Sequence, residues 1–173
     1  RWLQLRDNCR TNLFWFAQQV LKRDLLEHVH QVVCDQFVQK NFKGCFPAGY
    51  TLKKVHEAID KQVRFDENGA ATKEMMLLDP RGFYKSTIDG ADCVQWLICV
   101  PDVRILILTA EYKLALSFMK EIKDYFYLPE GAVPTDFQLL FPEYILTGVA
   151  GTSKEPIDCP ARLHPSRFPS LWV

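Results

Sequence analysis

The chain has 173 residues, 48% hydrophobic and 24% charged, which is the composition of an ordinary folded domain and excludes a disordered or fibrous protein. Its 21 Lys and Arg residues equal its 21 Asp and Glu residues, so no overall positive field exists that would hold nucleic acid by itself. The six cysteines include no C-x-x-C pair, which disfavours zinc and disulfide frameworks and indicates free thiols in the cytoplasm. No apolar run approaches the roughly 20 residues of a membrane span, and a start at Arg1 suggests a fragment of a longer protein.

Helical patterns dominate the first part of the chain. Apolar residues recur at helical spacing over Thr11–Leu21, Asp24–Lys40 and Leu52–Arg64. The polar sequence Asp66-Glu67-Asn68-Gly69 then favours a turn. We therefore predict an N-terminal helical segment over residues 1–70.

Strand and helix patterns alternate in the next part. The unbroken apolar run Met75–Leu78 predicts a strand buried on both faces, and Val103–Thr109, rich in β-branched residues, predicts a second strand. Helical patterns cover Ser86 to about Cys99 and Lys113–Tyr125. This order predicts an α/β domain with parallel strands over residues 71–173.

The pattern weakens after Leu128 and is interrupted by prolines. Phe137–Phe141 predicts a short helix, and Ser170–Val173 predicts the beginning of another strand. We expect the sequence to stop inside the fold.

The most informative stretch lies between the first predicted strand and the helix after it. Residues 79–87 read Asp-Pro-Arg-Gly-Phe-Tyr-Lys-Ser-Thr. Lys85 and Ser86 come at the start of the predicted helix, where unpaired N–H groups and the helix dipole favour a phosphate. In the general pattern G-x-x-x-x-G-K-[ST] they are the lysine and hydroxyl residues, but Asp79 and Tyr84 replace both glycines.

Two neighbouring residues bear on how this loop is interpreted. Gly82 offers one position without a β-carbon, where backbone N–H groups can approach phosphate oxygens closely. Arg81 adds a cation that a plain turn does not need. The alternative is a surface turn that caps the helix, with Arg81 paired to a carboxylate.

The residues from Pro80 to Thr87 resemble the arginine-bearing Walker A variant of the large terminase subunits of tailed bacteriophages, in which the position before the lysine is often not glycine. Arg104–Phe126 is similar to the family's second strand and following helix, Leu140–Glu143 to its Leu-Phe-Pro-Glu element, and residues 160–171 to the segment before Walker B. Residues 9–14 and 24–30 are also similar to terminase leaders, so the likeness covers nearly the whole chain.

The resemblance implies a P-loop NTPase fold of the ASCE type, a parallel sheet flanked by helices, preceded by the helical segment and truncated before Walker B. It implies ATP and Mg²⁺ as cofactors, with Lys85 on the β- and γ-phosphates, Arg81 sensing or stabilising the γ-phosphate, and the Ser86 hydroxyl on the metal. The residues it assigns to nucleotide binding are Pro80, Arg81, Gly82, Phe83, Tyr84, Lys85, Ser86 and Thr87.

The activity implied by the resemblance is that of a viral DNA-packaging motor, which couples ATP hydrolysis to translocation of double-stranded DNA into a procapsid. The implied partners are DNA, the portal protein, the small terminase subunit and further copies in a ring, in the host cytoplasm and at the procapsid portal. Two alternatives remain open: another P-loop DNA-dependent ATPase such as a helicase, and a nucleotide-binding remnant without catalysis.

Other functional residues are harder to assign. Hydrolysis needs a carboxylate that orients water, and Glu111 after the second strand is better explained as a helix-start residue, so we expect this carboxylate beyond Val173. The resemblance implies a base-contacting residue upstream of the loop, with His30, Gln31 and Gln36 as alternatives. Arginines that act across a subunit boundary are a further feature of such motors, and here they would be Arg162 or Arg167.

Overall fold

The computed structural model describes residues 1–41, 64–65, 71–72, 84–147, 156–164 and 167–173. For residues 35–41, 64–65 and 71–72 the description covers the backbone alone. The predicted helix over Leu52–Arg64 lies outside the described residues except for Arg64, and the predicted strand Met75–Leu78 lies wholly outside them.

The N-terminal region is helical, with one helix that the sequence did not reveal and one interruption. Helix α1 (Trp2–Thr11) is followed by α2 (Leu13–Trp15), which continues into the π-helical turn Phe16–Val20. The break comes at Asn12, whose side chain accepts a hydrogen bond of 2.8 Å from the backbone N–H of Trp15 and so caps α2. The helix predicted over Thr11–Leu21 is therefore confirmed over Leu13–Val20, whereas its predicted start is wrong because Thr11 ends α1 and Asn12 separates the two helices.

The second helical pattern is confirmed, with its start displaced. Helix α3 (Glu27–Asn41) begins three residues later than the predicted Asp24 and ends one residue after Lys40. Leu25, just before it, is buried.

A short antiparallel pair follows in the chain. Strand β1 (Arg64–Phe65) pairs with β2 (Ala71–Thr72), with Phe65 opposite Ala71. Arg64, the last residue of a predicted helix, therefore belongs to a strand instead. The Asp-Glu-Asn-Gly sequence between the strands has the residues that favour chain reversal.

The two helices predicted in the second part of the chain are both confirmed. Helix α4 (Lys85–Cys99) begins one residue before the predicted start, and α5 (Tyr112–Phe126) extends one residue beyond the prediction at each end. Helix α4 packs on the N-terminal helices, and the buried Gln95 side chain donates a hydrogen bond of 2.7 Å from Nε2 to the carbonyl of Cys9. This contact satisfies the amide N–H of Gln95 and the carbonyl of Cys9 within the buried junction.

Two of the three described strand pairs are parallel. Strand β3 (Ile105–Leu106) pairs with β6 (Leu171–Trp172), and the N–H of Ile105 donates to the carbonyl of Ser170 at 2.8 Å. Strand β4 (Tyr127–Leu128) pairs with β5 (Leu146–Thr147). The predicted strand starting near Ser170 is confirmed by β6.

The second predicted strand is shorter than expected. Only Ile105–Leu106 of the predicted Val103–Thr109 has strand geometry, although the N–H of Ile107 still donates to the carbonyl of Trp172 at 3.0 Å. Parallel pairing on this scale is compatible with an α/β protein, whereas the larger P-loop sheet remains a prediction.

Helix α6 (Asp136–Leu140) confirms the short helix predicted at Phe137–Phe141, shifted by one residue. A capping box starts it, in which Thr135 accepts from the N–H of Gln138 and the Gln138 side chain accepts from the N–H of Thr135. A 3₁₀ turn, Pro142–Tyr144, follows directly.

An aromatic cluster fills the space between α1, the π-helical turn, α5 and α6. Phe137 lies at its centre, with ring centroids 5.3 Å from Phe126, 5.5 Å from Phe141 and 6.2 Å from Phe16. Phe16, Phe137 and Phe141 have no exposed surface. Rings at these distances and tilts contribute attraction beyond the burial of their area.

The Leu-Phe-Pro-Glu element joins this cluster to the N-terminal helix. The guanidinium of Arg6 lies 4.8 Å from the Phe141 ring centroid, and the same group forms an ion pair with Glu143. Arg10 lies over the same ring at 5.6 Å. In this structure, then, the element fastens α1 to the rest of the protein.

One apolar core includes residues from both predicted parts of the chain, from Cys9 in α1 to Leu171 in β6. The single-domain organisation itself remains a prediction. The predicted boundary between the helical segment and the α/β domain lies between residues 70 and 71. Residue 70 is outside the described part of the chain, so this boundary remains a prediction.

Candidate functional site

The structure describes half of the predicted phosphate-binding loop. Tyr84, Lys85, Ser86 and Thr87 are described, and the other predicted residues lie outside the described part of the chain, namely Pro80, Arg81, Gly82 and Phe83. The part that can be examined is the junction between the loop and α4.

Tyr84 has a left-handed backbone at this junction. Its φ is 54° and its ψ is 22°, and it is the residue that directly precedes Lys85, the first residue of α4. Glycine adopts this conformation freely, whereas a β-carbon clashes with the following carbonyl oxygen. Tyr84 therefore has the conformation that suits glycine at the position where the general phosphate-loop pattern has glycine.

The succession of Tyr84 and α4 also suits an anion. A left-handed residue next to a right-handed one turns successive N–H groups toward a common point, which is the backbone arrangement of many phosphate sites. The side chain of Tyr84, the N-cap residue, makes no capping hydrogen bond to α4, and the first turn of the helix contains no acidic residue. The positive end of the helix dipole is thus not neutralised within that turn.

A cavity of about 420 Å³ lies beside this helix start. Ser86, Asp89 and Cys93 line it from α4, and the chain from Ile105 to Thr109 lines it from β3 onward. Residues of α5, including Ser117 and Glu121, complete the described lining. A cavity at the carboxyl end of a parallel strand and the start of a helix is the usual ligand position in α/β proteins.

Ser86 and Lys85, two of the predicted site residues, differ in their position relative to this cavity. Ser86 lines it and is exposed, so its hydroxyl is accessible as an oxygen ligand for a hard cation such as Mg²⁺. Lys85 is half-buried and is absent from the described lining of this cavity. The structure therefore brings Ser86 and the cavity together, while Lys85 is the first residue of α4 and is not part of the described lining.

Several lining residues were not predicted from the sequence. Asp89 follows Ser86 by three positions and Cys93 follows Asp89 by four, a spacing that puts all three on one face of α4 and could have been recognised. Thr109 and Glu121 reach the cavity from other elements, and their proximity depends on the tertiary fold.

The thiol of Cys93 is held in its protonated form. Burial, together with the neighbouring carboxylates of Asp92 and Asp89, raises the pKa of this thiol to about 12. Since the thiolate is the reactive form of cysteine, this environment disfavours nucleophilic attack by Cys93.

His30 is the upstream residue that the structure brings to the loop. Its ring lies edge-on to Tyr84, with centroids 5.3 Å apart and planes at 69°, and only 2% of His30 is exposed. Gln31 lines a separate open cavity with Glu27, His28 and Val32. The side chain of Gln36, the third upstream alternative, lies outside the described part.

Glu111 occupies the helix-start position expected for it. It is the exposed N-cap residue of α5, and its carbonyl accepts hydrogen bonds from the Thr109 hydroxyl at 2.6 Å and from the N–H of Leu114 at 3.0 Å. The described lining of the cavity includes Thr109 but not Glu111. This placement favours a structural role over that of a catalytic base.

The two arginines considered for action across a subunit boundary differ in accessibility. The side chain of Arg162 is 8% exposed, and its guanidinium donates to Asp158 at 2.7 Å and to the carbonyl of Phe168 at 2.9 Å. Reaching a neighbouring subunit would require these contacts to break. Arg167 is exposed.

Comparison with family models, curated proteins and solved structures found no match to this chain. Within the described residues, no helix combines the length and apolar character that crossing a membrane requires.

Proposed function

We propose that this chain binds ATP with Mg²⁺ at residues 80–87 and forms the nucleotide-binding part of a viral DNA-packaging motor of the terminase type. The left-handed backbone of Tyr84 carries the nucleotide-binding half of this proposal, because a turn of that shape directly before a Lys-Ser pair is what a phosphate loop requires. The likeness of the sequence to large terminase subunits carries the other half.

The roles of the loop residues follow from the chemistry of phosphoryl transfer. Lys85 and the helix-start N–H groups would neutralise the β- and γ-phosphates, and the Ser86 hydroxyl would hold Mg²⁺. Arg81 would act on the γ-phosphate. Bound Mg²⁺ supplies positive charge that offsets the charge on the transferred group, and the residues of this chain supply position and orientation.

DNA would be held locally. Since the chain has no net charge, binding of double-stranded DNA cannot rest on an overall basic surface. In the proposed motor, DNA, the portal protein, the small terminase subunit and further copies of the chain act together in the host cytoplasm and at the procapsid.

One observation favours the alternative of nucleotide binding without turnover. Glu111, the carboxylate that follows the second strand, is exposed and does not line the cavity with Ser86. For this reason we expect the 173-residue chain to bind ATP weakly and to hydrolyse it slowly. Rapid hydrolysis by this chain would mean that Glu111 or another of its carboxylates is catalytic. A helicase-like ATPase is the remaining alternative, and its DNA would be unwound and not translocated as a duplex.

The direct test is the effect of ATP and Mg²⁺ on stability. At a nucleotide concentration about 100 times the dissociation constant, binding should raise the free energy of unfolding by about 2.7 kcal/mol. Lys85→Ala should abolish this increase, because it removes the cation that neutralises the phosphates. Calorimetric titration of both proteins would measure the affinities directly.

Lys113→Ala is the matched control. Lys113 is exposed and, like Lys85, lies at the start of a long helix, but it belongs to α5. This variant should keep the full stabilisation by nucleotide. If Lys85→Ala also keeps it, or if the unsubstituted chain shows none, the proposed nucleotide site is wrong.

A further inference from the structure

The conformation of Tyr84 needs a source of stabilisation that its own sequence does not provide. A tyrosine has no local preference for the left-handed region, and the side chain of Tyr84 makes no capping hydrogen bond to the helix that starts after it. Glycine at this position would need no support. Something in the surrounding fold must therefore hold Tyr84 at a φ of 54°.

His30 is placed to provide that support. The N–H of Leu26 donates a hydrogen bond of 2.8 Å to Nδ1 of His30, which fixes the orientation of the ring at the start of α3. Because Nδ1 accepts this bond, the neutral ring carries its proton on Nε2. With 2% of His30 exposed, the ring has no room to swing into solvent, and it meets the Tyr84 ring edge-on at 5.3 Å.

Tyr84 is supported from one side and open on the other. The residue as a whole is 45% exposed, so much of its surface is in contact with solvent and not with the protein. The contact with His30 links the first turn of α3 to the first turn of α4, two elements separated by more than forty residues of chain. Contacts between aromatic rings in this arrangement are attractive beyond the area they bury.

We infer that His30 is a positioning residue for the phosphate loop: its ring holds Tyr84 in the left-handed conformation and so keeps the N–H groups at the start of α4 aligned for the phosphates of the nucleotide. This inference rests on the proposed function, since phosphate binding is its readout. In a loop with glycine at this position, the backbone adopts the left-handed conformation without help from side chains. Here the contact between the two rings stabilises that conformation. If the loop is aligned for only a fraction of the time, its apparent affinity for the ligand falls to the same fraction of the full value.

The test is a double-mutant cycle on nucleotide affinity. His30→Asn keeps an acceptor for the N–H of Leu26, because the amide oxygen of asparagine can replace Nδ1, but it removes the ring. Calorimetry with ATP and Mg²⁺ should show binding about two- to tenfold weaker for His30→Asn than for the unsubstituted chain. In a Tyr84→Gly background, His30→Asn should have no effect on affinity, because glycine adopts the conformation unaided.

The control is His28→Asn. His28 is exposed on the same helix, so the same substitution two residues away should leave affinity unchanged. Thermal unfolding without nucleotide would show whether each variant is folded. If His30 only stabilised the fold, the effect of His30→Asn on ATP affinity would be the same whether residue 84 is tyrosine or glycine.

The outcomes separate this inference from the proposed function. If Lys85→Ala abolishes binding but His30→Asn leaves affinity unchanged, or weakens it equally in both Tyr84 backgrounds, His30 does not act through Tyr84 and the inference is wrong while the proposed function stands. If the unsubstituted chain does not bind ATP, or Lys85→Ala binds equally well, the proposed function fails and the inference fails with it.

A second set of variants applies if His30→Asn does not fold. Tyr84→Phe keeps the ring and should bind ATP more tightly than Tyr84→Ala, which loses the ring. Tyr84→Gly, which also lacks the ring, should bind more tightly than Tyr84→Ala. Equal affinity of the alanine and phenylalanine variants would overturn the inference without any use of His30.

Discussion

The carboxylate of Asp102 holds the ring of His164, with 2.7 Å between Oδ2 and Nδ1. Its other oxygen, Oδ1, accepts hydrogen bonds from two consecutive backbone N–H groups, those of Leu163 at 3.0 Å and His164 at 3.1 Å. One side chain in the turn between α4 and β3 therefore fixes the segment that leads into β6.

This contact predicts a dependence of stability on pH. Burial opposes ionisation of Asp102, but hydrogen bonds from the His164 side chain and from the backbone outweigh it and lower the pKa of the carboxyl group. The folded state then binds fewer protons than the unfolded state, so the stabilisation is present above about pH 4 and is lost as the pH falls through the folded-state pKa. Asp102→Asn should lower the free energy of unfolding by about 1 kcal/mol at pH 7, and this difference should shrink at pH 3.

Urea unfolding of both proteins at the two pH values would measure that difference. Asp124→Asn is a control, since Asp124 pairs with Lys120 on an exposed helix face and should change stability by less than about 0.5 kcal/mol. A difference between the unsubstituted chain and Asp102→Asn that stays constant down to pH 3 would contradict the role assigned to the carboxylate.

The left-handed conformation of Tyr84, just before α4, predicts an unusual order of stability among variants at this position. Tyr84→Gly and Tyr84→Ala both remove the ring, but only glycine adopts a φ of 54° without a steric penalty. Without nucleotide, the glycine variant should be more stable than the alanine variant by about 1 kcal/mol, measured by urea unfolding. At Tyr112, the exposed first residue of α5, the same pair should show alanine equal or superior, because alanine favours a helix over glycine. An alanine variant at position 84 that is as stable as the glycine variant, or more stable, would argue against the left-handed conformation of Tyr84.

Phe141 should be among the most sensitive core positions. It has no exposed surface, contacts Phe137 and Tyr144, and receives the guanidinium of Arg6 over its ring. Phe141→Ala should lower the free energy of unfolding by about 3–5 kcal/mol, because it leaves a cavity and removes the cation–π contact. Leu139→Ala, at a side chain 52% exposed, should change it by less than about 0.5 kcal/mol. A small effect at Phe141 would mean that the Leu-Phe-Pro-Glu element does not fasten α1.

Buried cysteines predict slow alkylation of the native protein. Burial raises the pKa of Cys9 to about 12 and that of Cys159 to about 11, so almost no thiolate is present at pH 8. Mass spectrometry after iodoacetamide treatment should find both unlabelled in native protein and fully labelled in urea. The five described cysteines are free thiols, so their labelling in urea needs no prior reduction of a disulfide. Rapid native labelling of Cys9 would show that the contact between α1 and α4 opens readily.

Helices were predicted correctly where the apolar spacing was regular. The predictions failed where contacts with distant parts of the chain determine whether a helix forms. The patterns at Ser86–Cys99 and Lys113–Tyr125 have regular apolar faces, and α4 and α5 match them within one residue. Helix α1 gave too weak a signal, because Cys9 is its one buried residue and its arginines pack on Phe141 far along the chain. The break at Asn12 had a local signal that periodicity overlooked, since asparagine favours a cap position.

The helix start at the candidate site was predictable from the sequence, whereas the backbone geometry before it was not. The Lys85-Ser86 pair after an apolar run indicated a helix start, and α4 begins at Lys85. The left-handed Tyr84 could not be predicted, because tyrosine disfavours that conformation and the contact with His30 is long-range. Two-residue strands such as β3 are similarly too short for any periodicity to mark their ends.

The pairing of β3 with β6 sets the order in which the protein can assemble during synthesis. Helices close their hydrogen bonds locally and can form as they leave the ribosome, whereas the N–H groups of Ile105 and Ile107 must wait for the carbonyls of Ser170 and Trp172. Until then the nascent chain presents an unpaired strand edge, with Leu108 exposed even in the finished protein. An unpaired, partly apolar edge of this kind favours contacts between chains, so the segment is exposed to aggregation until residues 170–172 have been made.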